Sequence, residues 1–275
     1  MYIVQPTSTP VNENLMELLL MVSTMRRASA ENITCVIPYY GYARQDRKMQ
    51  SRVPISAADI ARLLEAIGVD RVVAVDLHCG QIQGFFGPRV PVDNLEAGQV
   101  GVEYFSGIQD LQNVVVVSPD AGGVYRAKRF REGLNKATGT DATGLAMIIK
   151  QRAKANSISR MDLVGVVEGA DCIIVDDMID TAGTLCKAAK HIKDNGARRV
   201  YCFASHGLFS GPAVDRIKDS VLEEVVTVNT IPLPAHAKTC RKIRQLSVAP
   251  LLAHAIERIH SRESVSALFK GKHSG

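Results

Sequence analysis

The densest chemistry in this 275-residue chain lies in Cys172-Ile-Ile-Val-Asp-Asp-Met-Ile-Asp-Thr-Ala-Gly-Thr184, an apolar run that passes into acids and then small residues. The pattern predicts a buried strand, two carboxylates at its end, and a tight turn that opens a helix. Small residues let backbone close around an anion, while successive amides and a helix N-terminus supply partial positive charge. Thr181 and Thr184 add hydroxyls, and Asp176 and Asp177 can accept hydrogen bonds from sugar hydroxyls. A plain strand, loop and helix with Thr as N-cap uses the same residues. The segment is not a Walker loop, since it lacks Gly-Lys-Ser/Thr, and it is not a GxGxxG fingerprint.

Three further groups carry chemistry. Asp76 and His78 stand two apart at the end of another apolar run, so on a strand their side chains share a face. Asp76 suits Mg²⁺, which prefers carboxylate, water and phosphate oxygens; His78 is a less usual ligand, and an ordinary polar strand end explains it as well. Asp120, in Ser118-Pro-Asp-Ala-Gly-Gly123, precedes paired glycines that let backbone approach a ligand, although Pro-Asp and Gly-Gly are also common turn chemistry. Basic residues in Arg44-Gln45-Asp46-Arg47-Lys48 and Lys150-Gln-Arg152 can meet phosphates or form a solvated surface.

The elements that must position these residues follow from periodicity. Val/Ile-rich runs at 33–37, 72–75, 114–117, 172–175, 200–204 and 225–228 predict strands buried on both faces. Helical patterns fill 14–28, with Leu15, Leu18, Leu19 and Val22 on one face, and also 57–67 and 184–195. Gly68 and Gly196 stand where two of those helices end. Alternating strands and helices predict a parallel sheet covered on both sides, with ligands outside the carboxyl ends of the strands. The order repeats: a strand into a Pro loop (Ile33 to Pro38) and a strand ending in acid (Val72 to Asp76) return as Val114 to Pro119 and Cys172 to Asp177. Two copies of one α/β unit joined near residues 93–100 is the simplest account, though any α/β chain offers such pairs.

Composition narrows the classes. A chain of 275 residues that is 46% hydrophobic can bury a large core and suits two medium domains. Its 33 basic and 28 acidic residues give a net charge of +5, scattered rather than striped, and aromatics are 5% with no Trp. That balance suits anionic small molecules and argues against a nucleic-acid partner. Six cysteines without a CxxC pair read as reduced thiols of a cytoplasmic protein. There is no signal-like N-terminus and no apolar run of membrane-spanning length, so no membrane partner is expected.

Taken together, the segments resemble the ribose-phosphate pyrophosphokinase (PRPP synthase) family. Val175-Asp-Asp-Met-Ile-Asp-Thr-Ala-Gly-Thr184 is similar to the PRPP-binding signature shared by type I phosphoribosyltransferases and PRPP synthases. Tyr42 to Asp46, Ser51 to Ser56, Asp76 to Phe86, Ser118 to Gly123 and Ser205 to Pro212 resemble PRPP synthase motifs in the family's order, over nearly the whole chain. The resemblance implies an α/β fold of two tandem type I phosphoribosyltransferase-like domains, 1–94 and 95–275, each a mainly parallel sheet flanked by helices, self-associating as hexamers. It implies Mg²⁺-dependent transfer of the ATP diphosphoryl group to ribose 5-phosphate.

Residue by residue, the resemblance assigns ribose 5-phosphate to Asp176, Asp177, Asp180, Thr181, Ala182, Gly183 and Thr184. It assigns ATP to Arg44, Gln45, Asp46 and His78, metal to Asp76, His78, Asp93 and Asp120, and catalysis to Lys150 and Arg152. Ser51, Arg52, Ser264, Ser266 and Phe269 resemble parts of the family's phosphate and ADP regulatory site. Met1-Tyr-Ile-Val-Gln-Pro6 matches an internal strand of the family, so an N-terminally shortened chain is expected. Gly87 to Val90 reads as a lengthened link and Thr138 to Thr143 as an insertion. A non-catalytic PRPP-synthase-associated regulatory subunit is the first alternative; such proteins depart from the family in the Lys/Arg loop and the cradle, both kept here. A base-transferring phosphoribosyltransferase shares the cradle but has no use for Arg44-Gln45 or Asp76-Leu-His78.

Overall fold

A computed structural model describes residues 1–151 and 160–266. The chain divides into two compact units, Met1–Ala97 with the described residues from Val248 onward, and Gly98–Ser247.

In the first unit β1 (Tyr2–Val4), β2 (Thr34–Ile37), β3 (Arg71–Val75) and β4 (Val92–Leu95) form one sheet in the order β1-β2-β3-β4, parallel throughout. Parallel strands need crossovers, and α1 (Val11–Arg27) and α2 (Ser56–Ala66) supply two of them. Leu15, Leu18 and Val22 of α1 and Ile60, Ala61 and Leu64 of α2 pack with Cys35, Ile37, Val72 and Ala74; Leu19 sits at the margin of that core. Gly68 stands one residue past the C-cap of α2 at φ +98°, a left-handed turn that glycine makes without steric cost.

The second unit contains α3 (Gly98–Ser106), β5 (Val115–Ser118), α4 (Val124–Thr138), β6 (Gly144–Gln151), β7 (Arg160–Val164), β8 (Asp171–Ile179), α5 (Gly183–Asp194), β9 (Arg199–Gly207), α6 (Ala213–Lys218), β10 (Glu224–Val228) and β11 (Ile243–Leu246). Its seven strands run β11-β10-β9-β8-β5-β6-β7, parallel except for the β6–β7 pair. Ala188 and Ile192 of α5 and Ala213 and Ile217 of α6 pack with Cys172, Ile174, Val200 and Cys202. Elsewhere in the unit Phe130 meets Phe105 at 6.2 Å and Phe203 at 5.4 Å between ring centroids. Asp171 anchors the start of β8: it is fully buried, accepts the Gln112 N–H at 2.7 Å, and is paired with Arg199 at 2.9 Å and with Arg198.

The expected repeat appears as topology, since β2 and β3 are parallel neighbours in one sheet and β5 and β8 in the other. The C-terminal segment departs from the expected 95–275 domain. Helix α7 (Ala249–His260) counts with the first unit, where the His260 and Tyr2 rings meet edge-on at 6.5 Å. All six cysteines are free, and burial pushes the Cys35 and Cys172 thiols up to about 12. Among the described residues no helix is long and apolar enough to cross a membrane.

A Cβ added at Gly101 of α3 would lie 2.5 Å from the ring of the fully buried Phe203 and 2.8 Å from that of Phe130. Gly101→Ala is therefore expected to destabilise the chain by about 1–3 kcal/mol through overpacking. Gly84→Ala, where nothing lies within 4 Å, should stay within about 0.5 kcal/mol. Denaturant melts of the two variants against the parent check the difference.

Candidate active site

In the second unit β8 lies between β5 and β9, and Asp176 and Asp177 stand within it. The strand runs on to Ile179, after which Ala182 turns left-handed at φ +56° and α5 opens at Gly183. The alternative of a Thr-capped helix therefore does not hold: Ala182 takes the N-cap place with no side-chain cap bond. Thr181 and Thr184 are exposed on either side of the turn. The segment after β9 braces the loop from behind. Leu208 N–H donates to the Ile179 carbonyl at 2.9 Å and Ser210 N–H to the Asp180 carbonyl at 3.0 Å. From α6, Arg216 Nη1 donates to the Thr181 carbonyl at 2.9 Å.

The Ala121–Gly123 turn that follows β5 packs against β8 and β6, which brings Asp120 and the strand carrying Lys150 to the same region. Asp120 accepts the Gly123 N–H at 3.2 Å, and the Ser118 hydroxyl donates to the Asp120 carbonyl at 2.6 Å. A Cβ at Gly123 would stand 2.9 Å from Ser118 Oγ, so this turn needs the missing side chain. Lys150 is placed by its backbone in β6, opposite Met161 of β7. Arg152 lies outside the described residues. Sequence reasoning missed Arg126, whose Nη1 stands 3.9 Å from both Asp176 and Asp177. Its signal was its place in the first turn of the helix that Gly122-Gly123 introduces.

In the first unit Arg44 and Gln45 are exposed and Asp46 is partly buried. The Gln45 carbonyl accepts the Ala57 N–H at 3.2 Å, which fixes the loop to α2. Burial and a hydrogen bond to Asp46 push the Cys79 thiol up to about 11, so the loops carrying Arg44–Asp46 and Asp76–His78 meet there. The shared-face argument for Asp76 and His78 fails, because β3 ends at Val75 and Asp76 turns left-handed at φ +40°, which breaks strand alternation. Asp76 is buried, and its Oδ2 accepts the Ala97 N–H at 2.9 Å; Asp93 pairs with Arg71 at 2.6 Å; His78 is partly exposed.

Among the described residues no three His, Cys, Asp or Glu are placed to hold a metal ion by themselves. The carboxylates of Asp76 and Asp93 in the first unit and of Asp120 in the second are oxygen donors of the kind Mg²⁺ accepts, and His78 is a less usual ligand for it. Ser51, Arg52, Ser264 and Ser266 are all exposed in the first unit, Arg52 at φ +60°, and Phe269 lies outside the described residues. Val90 N–H closes a turn onto the Gly87 carbonyl at 3.0 Å, and Gly139, at φ +69°, caps α4 where an insertion was expected.

A family model described as the N-terminal domain of ribose phosphate pyrophosphokinase matches residues 1–68, and one described as the phosphoribosyl synthetase-associated domain matches residues 140–270. The ribose-phosphate pyrophosphokinase of Pasteurella multocida is 51% identical over 269 residues, covering 98% of this chain and 83% of its own. That of Chromobacterium violaceum is 52% identical, over 98% of this chain and 79% of its own. The crystal structure of phosphoribosylpyrophosphate synthetase from Mycobacterium smegmatis superposes with a TM-score of 0.85 at 39% identity, covering 95% of this chain and 82% of that one.

The acids of β8 store electrostatic tension. Asp177 is buried, and Asp176 keeps 34% of its side-chain surface exposed at the strand end. Burial and then the neighbouring Asp177 push the Asp176 carboxyl up, and Arg126 only partly offsets them. A carboxyl whose folded pKa lies above its unfolded one makes the fold bind more protons between the two values, so stability falls as pH rises through that window. The window opens at the ordinary carboxylate value and runs upward from there. Asp176→Asn is therefore expected to melt above the parent at pH 8, with the margin shrinking at pH 5. Thermal scans at the two pH values check it, and an equal margin at both would sink the explanation.

Proposed function

The chain belongs to the ribose-phosphate pyrophosphokinase family, and from that premise we propose that it transfers the diphosphoryl group of ATP to the 1-hydroxyl of ribose 5-phosphate, giving PRPP and AMP for nucleotide biosynthesis. The observation that carries this reading is the cradle at the end of β8, where Asp176 and Asp177 precede a left-handed turn and the opening of α5.

In this reading Ala182, Gly183 and Thr184, with the Thr181 hydroxyl, hold the 5-phosphate through amides and hydroxyls, and the α5 N-terminus adds partial positive charge. Asp176, Asp177 and Asp180 accept the ribose hydroxyls and orient the sugar. Arg44 and Gln45, with Asp46 and His78, recognise ATP; the planar guanidinium of Arg44 suits its phosphates. The ribose 1-hydroxyl releases its proton to water as its oxygen forms a bond to the β-phosphorus, while the bond from that phosphorus to the oxygen shared with the α-phosphate breaks, and AMP leaves with that oxygen. Negative charge gathers on the transferred group, and Lys150 and Arg152 offset it as fixed cations. His78 and Asp120 would each contribute, in their own units, to holding Mg²⁺, with Asp76 and Asp93 supporting through their backbone and Arg71 contacts. When bound, Mg²⁺ supplies charge neutralisation at the phosphate oxygens.

Self-association and a regulatory role for Ser51, Arg52, Ser264, Ser266 and Phe269 belong to the same proposal, supported by the family resemblance. So does a cytoplasmic location, supported by the free cysteines. Purified chain mixed with ATP, Mg²⁺ and ribose 5-phosphate should form AMP and PRPP in equal amounts, and Lys150→Ala should lower kcat roughly 10²–10³-fold. A folded chain that binds ribose 5-phosphate but forms neither product would overturn the catalytic reading in favour of a regulatory subunit.

A further inference from the structure

Arg216 touches the cradle but has no part in the transfer as described. Its Nη1 donates to the Thr181 carbonyl at 2.9 Å, and a Cβ added at Gly183 would lie 3.1 Å from the same nitrogen, so the guanidinium lies against the loop. Its backbone is fixed independently of the loop. Ala213, Val214 and Ile217 bury the inner side of α6, Arg216 N–H donates to the Pro212 carbonyl at 3.0 Å, and Cys186 Sγ of α5 approaches the Arg216 carbonyl at 3.5 Å.

The consequence for the cradle follows from peptide geometry. In a trans peptide the C=O and the next N–H lie in one plane and point in opposite directions. Holding the Thr181 oxygen towards Arg216 therefore turns the Ala182 N–H the other way, and it does so at the residue whose φ of +56° is the least favourable in the loop. A charge-assisted bond to that carbonyl keeps the peptide from flipping and presenting oxygen, rather than N–H, to an anion.

From this geometry we infer that Arg216 is a positioning residue for ribose 5-phosphate, acting through the Thr181–Ala182 peptide rather than by touching the sugar phosphate. The inference rests on the proposed function, because it takes that sugar phosphate as the cradle's ligand. It predicts a specific split: Arg216→Ala raises KM for ribose 5-phosphate roughly tenfold, the scale of one lost charge-assisted hydrogen bond, while kcat and KM for ATP stay within about twofold. Arg216→Lys, which keeps a cationic donor, should recover most of the loss, and the melting temperature of Arg216→Ala should fall by no more than about 2–8 °C, the scale of one lost charge-assisted hydrogen bond.

The test is steady-state kinetics on parent, Arg216→Ala and Arg216→Lys, paired with calorimetric titration of ribose 5-phosphate in the absence of ATP. An unchanged KM and Kd for ribose 5-phosphate in Arg216→Ala overturns the inference, as does a joint shift of both KM values, kcat and the melting temperature. If the parent binds ribose 5-phosphate but forms no PRPP, the catalytic reading fails and the calorimetric comparison still decides the role of Arg216. If the parent neither turns over nor binds the sugar phosphate, both readings fall.

Discussion

Ala182 holds φ +56° at the point where the chain leaves β8 and enters α5. A residue with a Cβ is disfavoured there by about 1–2 kcal/mol, so the conformation persists only where surroundings over-determine it. They do so from three directions. Asp171, gripped by Arg198 and Arg199, fixes the start of β8; the ladders to β5 and β9 fix its length; and the bonds from Leu208, Ser210 and Arg216 fix the loop beyond it. Residues on four elements thus serve one short turn, which sets the direction of its amides.

Carboxylates beside an anion cradle look self-defeating, yet the arrangement separates two tasks. Amides and a helix N-terminus favour an anionic group, and a pair of carboxylate acceptors favours hydroxyl donors, so under the proposed function the two ends of a sugar phosphate would be told apart. The tension between Asp176 and Asp177 is eased only in part by Arg126 and remains a stability cost at the end of β8. In the first unit the same economy of means appears in another form: Asp76, at φ +40°, uses its carboxylate to hold the Ala97 amide, and Asp46 meets Cys79 to join two loops.

The central strands were legible because β2, β3, β5, β8, β9 and β10 are buried on both faces and so read as unbroken apolar runs. The short edge strands were not: β1 and β11, at three and four residues with mixed burial, carry too little pattern to stand out. Gly68 and Gly196 marked helix ends because φ values of +98° and +92° suit glycine best. The same-face reading of Asp76 and His78 failed because alternation presumes that a strand continues, and a single left-handed residue ends it. The strand, paired acids and small-residue turn of 172–184 were readable from their order in the sequence; Arg126 was signalled only by its place in the first turn of α4, and Arg216 not at all, since its contact is made across the fold from α6. Roles for Lys150 and Arg152 came from family resemblance, with no geometric signal in an ordinary basic segment.

Under the proposed function a phosphorylated ribose binds where β8 gives way to α5. Hydrogen exchange, followed peptide by peptide with and without ribose 5-phosphate, tests it most directly, because bound phosphate should protect the amides that hold it. Exchange should slow across residues 178–185 with ribose 5-phosphate and not with unphosphorylated ribose. Protection confined to other segments, or equal protection by ribose alone, would contradict it.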